Sequence, residues 1–285
     1  MPERIGVRDH GDGEIVRIAL RKLPPRTGGQ SRGRLGGLTV LELLVVLVAL
    51  ASLALVGLSR QSRARAGRAM NMCADNLRQV AAGLRGNTDG RFLTSLPTDD
   101  GGARDLVNGG PAGAGDPSRT FWVFGALSNQ LTSPRSVVCP ADRARVVVSN
   151  FQDLVSPDPR GPGGRNASVS YFVNLDAVPD QPSVILTGDR NLSTMAHATR
   201  AESYDAFFGV EHRIRPEDVK PGGVYAGLGF QPSLHSKGGR RARHGLLALA
   251  DGSVQFATGG VVRHQILAST NIHRLIFPFV PGKNE

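Results

Sequence analysis

The chain has 285 residues, a formal net charge of +10 and only 5% aromatic residues, and it is interrupted throughout by 36 glycines and 18 prolines. That composition argues against a mainly helical protein and suits a single loop-rich domain whose core leans on Leu, Val and Ala. The two cysteines, Cys73 and Cys139, form no C-x-x-C pair, which leaves no support for a zinc ribbon or a thioredoxin-type motif.

Residues 1–37 read as a basic, unstructured leader with eight Arg or Lys against four Asp or Glu. Ile15 to Leu20 fits at most a short helical turn. Loss of this segment would lower the net charge to about +6.

From Leu38 to Leu58 the only charged residue is Glu42. A helix of that length rises roughly 30 Å, the thickness of a bilayer's hydrocarbon core. A carboxylate there costs about 2–3 kcal/mol or more, so it is rarely idle. On length alone three other readings stay open: a plain signal anchor, a secretory signal peptide cut near Ala49-Leu50-Ala51, and a buried core helix. None of them accounts for a Glu five residues after Gly36-Gly37.

The stretch Gly37-Leu38-Thr39-Val40-Leu41-Glu42-Leu43-Leu44 resembles the processing signal of type IV pilins and of the pseudopilins of type II secretion. The resemblance implies cleavage after Gly37 by a prepilin peptidase and N-methylation of Leu38. It also implies an assembly role for Glu42, as the fifth residue of the mature chain. The sequence departs from the family in having Leu38 where Phe is usual, and in the length of its leader. Glu42 sets it apart from the minor tip subunit, which lacks this residue in the family.

Past Leu58 come Arg60, Arg63, Arg65 and Arg68, so basic residues flank both ends of the apolar run and charge alone does not settle its orientation. Met70, Cys73, Leu77, Val80, Ala81 and Leu84 then fall on one helical face. The spacing predicts one helix over 38–86, membrane-spanning over 38–58 and amphipathic beyond, ending at Gly86-Asn87. Its amphipathic half requires a partner, for which a β-sheet is expected.

Residues 87–285 are expected to form the head. The stretch 88–117, rich in Gly, Asp and Pro, reads as loop. Phe121 to Leu127 reads as a short helix or strand. Ser136 to Cys139 and Arg145 to Ser149 read as strands, and 156–164 as a linker. Ser168–Leu175, Ser183–Thr187, Leu246–Ala250 and Val254–Phe256 read as strands, the last two joined by the hairpin signal Asp251-Gly252. Val261 to Leu275 reads as a terminal helix, and 276–285 as an extended tail. The fold class expected is therefore α+β: a long membrane-spanning N-terminal helix whose second half packs on a small antiparallel sheet, with loop-rich insertions.

Four head motifs are similar to a pseudopilin-like subfamily abundant in planctomycetes and verrucomicrobia: Cys73-Ala74-Asp75-Asn76-Leu77-Arg78-Gln79, Cys139-Pro140-Ala141-Asp142, Ser170-Tyr171-Phe172-Val173-Asn174, and His244 followed by Asp251-Gly252-Ser253-Val254. The resemblance covers 36–85 strongly and 137–256 in islands. Cys73 and Cys139 either pair in an oxidising compartment or are two small buried residues.

His235, His244, Asp189 and Asp251 fit no metal-ligand spacing. Some major pseudopilins bind calcium, and by that resemblance Asp189, Asn191 and Asp251 are weak calcium candidates; no other cofactor is expected. No nucleophile–base set, Walker A loop or dinucleotide motif stands out, so no catalysis is assigned. Lys237 to His244 is a compact basic loop with no neighbouring aromatics to stack on bases, and nucleic acid is not expected as a partner.

The function expected from the resemblance is that of a structural subunit of a type II secretion pseudopilus. Its expected partners are copies of itself, a prepilin peptidase and the inner-membrane components of the secretion system, with the N-terminus cytoplasmic and the head periplasmic. The alternatives are a membrane-anchored binding protein that does not polymerise, and a DNA-uptake pseudopilin.

Overall fold

The structure, a computed structural model, describes residues 39–86, 90–108, 119–156, 163–193, 211–231, 234 and 243–278. The leader, Gly37, Leu38, His235, most of the basic loop and the tail after Pro278 lie outside them. The chain divides into two compact units, Met1–Ser52 and Leu53–Glu285. In the first, the described residues are Thr39 and the opening turns of helix α1 (Val40–Arg85).

In the second unit α1 runs on to Arg85 through a segment free of proline and rich in Ala, Arg, Leu and Met, all good helix formers. It stops at Gly86, whose N–H bonds to Gly83 O. Helices α2 (Arg104–Asn108), α3 (Thr120–Ala126) and α4 (Phe151–Val155) follow, α4 capped by the Asn150 side chain on Asp153 N. Strands β1 (Tyr171–Asn174), β2 (Ile185–Asp189), β3 (Leu192–Ser193), β4 (Glu211–Ile214), β5 (Gly229–Phe230), β6 (His244–Leu249) and β7 (Val254–Thr258) come next. Helix α5 (Gly259–Ala268) and strand β8 (His273–Ile276) complete the described chain.

Six strands form an antiparallel sheet in the order β4-β8-β1-β2-β6-β7, and β3 pairs with β5 in a separate ribbon. The protein is thus α+β, with one apolar N-terminal helix and an antiparallel sheet. Its central strands are buried on both faces, which is why they read as apolar runs rather than strict alternation.

One buried cluster unites Cys73, Leu77, Val80, Ala81 and Leu84 of α1 with Tyr171, Val173, Leu186, Leu246, Ala248 and Ile276 of the sheet. The other sheet face, with Phe172, Ile185, Leu247 and Leu275, shares a second cluster with Val262 and Ile266 of α5. Each large apolar side chain buried in this way contributes about 1.5–3 kcal/mol.

Several expected elements are corrected. Pro134–Val137 is a 3-10 turn, started by the Ser133 side chain on Arg135 N, and no strand forms over 136–139. The valines of 146–148 form no strand; Val146 N donates to Ala167 O, and Val147 faces solvent. The terminal helix ends at Ala268, because the Ser269 hydroxyl turns back onto Ile266 O, and His273–Ile276 is a strand inserted between β4 and β1. The stretch 88–117 is not all loop: among its described residues short helical turns form, and Phe92, Leu93, Ala103 and Val107 are buried in the main cluster.

Candidate functional site

Thr39 and Glu42 close the start of α1. Thr39 N donates to Glu42 Oε2 at 2.9 Å and the Thr39 hydroxyl to the same oxygen at 3.1 Å, while Glu42 N donates to Thr39 Oγ1 at 3.3 Å. This is a reciprocal capping box, legible in the sequence as Thr-x-x-Glu but missed there. Among the described residues Glu42 Oε1 has no partner. Val40–Leu58, with mean hydropathy 2.7, is long and apolar enough to cross a membrane, and none of it is buried. Apolar residues exposed all round a helix require an apolar medium or other helices around them.

The motif at the far end of α1 ties the helix to the head. Cys73 and Cys139 form a disulfide, both fully buried. Asn76 Nδ2 donates to Val138 O at 3.0 Å and Arg135 O at 3.3 Å, and the Ser136 hydroxyl donates to Gln79 Oε1 at 2.8 Å. The next motif continues the chain of contacts. Asp142 takes a two-pronged ion pair from Arg190 just past β2, at 2.7 and 3.0 Å, and both side chains are buried. Burial works against the Asp142 carboxylate, but hydrogen bonding from Arg190 and the charges of Arg190 and Arg145 outweigh it and hold the group below the usual carboxylate range. Arg145 in turn donates to Val169 O and Pro278 O.

The calcium candidates do not come together. Asp189 Oδ2 accepts Leu246 N at 2.7 Å at the start of β6. Asn191 donates to Gln231 O at 2.9 Å. Asp251 lies past the other end of β6, roughly 15 Å along the strand from Asp189. Its Oδ1 accepts Ser253 N at 2.8 Å in the hairpin turn. Hydrogen bonding from the Ser253 side chain first, then from the Ser253 backbone N–H and the nearby charge of Arg85, holds Asp251 below its ordinary range against the smaller opposing effect of burial. A cation beside Asp251 would face the Arg85 guanidinium, whose Nη1 lies against the place a Cβ on Gly252 would take. Gly252 itself sits at φ +87°, which glycine adopts freely. His244 packs against Phe256 with ring centroids 4.3 Å apart. Among the described residues no three or more His, Cys, Asp or Glu side chains gather to hold a metal ion.

One constellation absent from the sequence reading is Ser269–His273–Asn174. His273 Nε2 lies 2.7 Å from Ser269 Oγ and its Nδ1 lies 3.2 Å from Asn174 Nδ2. Asn174 Oδ1 accepts Asp176 N and Arg274 N, and its Nδ2 also donates to Ile185 O, which fixes the amide's orientation. The amide therefore donates to Nδ1, the proton rests on Nε2, and the imidazole donates to serine instead of accepting from it. That is the wrong tautomer for activating a hydroxyl, and Ser269 also bonds the carbonyls of Ile266 and Asn271. The trio joins β1, α5 and β8. Burial lowers the His273 pKa to about 4.

Thus the head motifs act as connectors, and the uncommitted chemistry gathers at the start of α1. Comparison with protein-family models, with curated proteins and with solved structures finds no match.

Proposed function

We propose that the protein is a structural subunit of a type II secretion pseudopilus, made as a precursor and cut after Gly37 by a prepilin peptidase. In this reading Leu38 becomes the methylated N-terminus, residues 38–58 anchor the chain in the inner membrane, and the head lies on the periplasmic side. The mature helices pack together as the filament grows. The observation that carries the reading is Glu42, the sole charge on an unburied apolar span, held one turn from its start. Its cap engages only Oε2, which leaves Oε1 for the N-terminal amine of a neighbouring subunit. A carboxylate in an apolar bundle is tolerable when such a cation lies beside it. The pilin-like packing of the second half of α1 on the sheet is part of the same proposal, supported by the cluster the two share.

The capping box favours a second reading, a membrane-anchored head that does not polymerise, because it gives Glu42 work in a lone helix. Glu42→Gln separates the two. Gln preserves the box but removes the charge. Cross-linking in cells that supply a prepilin peptidase and the secretion system's inner-membrane components should show a ladder of multimers for the native chain. In E42Q the ladder should be absent while membrane insertion is unchanged. A ladder that survives in E42Q assigns the residue to the cap alone.

A further inference from the structure

Between Glu42 and Asp75 the chain contains no acidic residue, yet Arg60, Arg63, Arg65 and Arg68 stand within ten positions of Leu58. Helix α1 runs unbroken through this stretch, so the first arginine lies about 3 Å and the last roughly 15 Å beyond the span along the axis. A headgroup layer of roughly 5–8 Å on each face of the hydrocarbon core covers the nearer part of that range. Side chains on a helix lean toward its N-terminus, here the direction of the bilayer, and long arginine stems extend that reach. Arg65 and Arg68 are exposed, and among the described residues neither has an ion-pair partner. The arginines further along differ: Arg78 pairs with Asp75, and Arg85 lies beside the Asp251-Gly252 turn. On the described part of α1 beyond the span, the cations without an acidic neighbour, Arg65 and Arg68, therefore stand on the side next to the span.

We infer that Arg60, Arg63, Arg65 and Arg68 form a collar that binds the phosphates of anionic phospholipids in the leaflet at the Leu58 end of the helix. The inference rests on the reading of 38–58 as a membrane segment and is independent of cleavage and assembly. A guanidinium matches a phosphate with two parallel hydrogen bonds, so the collar fixes the depth of the helix as well as adding affinity. It also anchors the chain from the head side, which persists if the basic leader is removed.

The test uses the full chain in detergent with phosphatidylcholine and phosphatidylglycerol in equal amounts, and native mass spectrometry to count the lipids retained. The native chain should retain phosphatidylglycerol preferentially, by on the order of five-fold for each arginine that reaches the surface. Replacing all four arginines with Gln should bring the ratio to unity, while replacement with Lys should keep part of the preference; formation of the Cys73–Cys139 disulfide checks that each variant has folded. Equal retention by the native chain, or an undiminished preference in the Gln variant, overturns the collar. Flotation with vesicles of phosphatidylcholine alone separates the two premises. A chain that floats but shows no preference loses only the collar, whereas one that does not float loses the membrane reading as well.

Discussion

Asp142 and Arg190 face each other where neither has access to bulk water, and the pair joins the loop after Cys139 to the end of β2. Removing one partner strands the other charge. Asp142→Ala should therefore cost about 3–5 kcal/mol, read as a fall in the thermal or denaturant midpoint of unfolding; an unchanged midpoint would contradict the account of the pair. His273 makes a second prediction. Its pKa falls from 6.5 unfolded to about 4 folded, so below pH 6.5 the unfolded chain binds the proton first. Stability is then fully present above about 6.5 and declines as pH drops toward 4, by about 3 kcal/mol in all. Asp142, whose pKa is also lowered, adds a further loss below its unfolded value of 3.8. Unfolding midpoints measured between pH 4 and 7 should slope for the native chain and flatten over that window in His273→Gln. Neither contact was legible in the sequence, because Asp142 and Arg190 are 48 residues apart and Asn174 and His273 are 99 apart. What the sequence did display were the motifs in which Asp142 and Asn174 stand, without the partners that explain them.

At the scale of elements, the long helix was the most legible part. Its apolar run, its Cys73–Leu84 stripe and its stop at Gly86 all follow from local pattern, and the observed helix ends at Arg85. The β6–β7 hairpin was equally plain from Asp251-Gly252. Strand β8 was not. Ile272, Leu275 and Ile276 suit a helix or a strand equally well, and only the gap between β4 and β1 decides for a strand. The valines of 146–148 erred the other way: high β-propensity without a strand to pair with leaves an irregular segment. The link between the helix and the head carries its own prediction. Cys73 and Cys139 close a loop across a sequence separation of 66 residues. By loop entropy alone such a bridge is worth about 4 kcal/mol. The double variant Cys73→Ser, Cys139→Ser should unfold at a markedly lower denaturant concentration than the oxidised protein. Equal midpoints for the two would show that the contacts of Asn76, Leu77 and Gln79 suffice without the bridge.

Over the whole molecule, chemistry is divided unevenly along the chain. The head invests its buried polar groups in joining α1, the Cys139 loop and the sheet. The span at the other end keeps a single charge and no burial. Composition and charge announced that division, since Glu42 stands alone in a 21-residue apolar run and four arginines follow it. The capping role of Thr39 is equally readable, as Thr-x-x-Glu at the head of the apolar run.

The most direct measurement is the intact mass and N-terminal sequence of the membrane-extracted protein, produced with and without a prepilin peptidase. The account predicts Met1 as the first residue without the enzyme, and Leu38 carrying one added methyl group with it. A chain that still begins at Met1 in the presence of an active peptidase would contradict the pseudopilin assignment and leave a signal-anchored head. A start near Ser52 would contradict the membrane anchor as well.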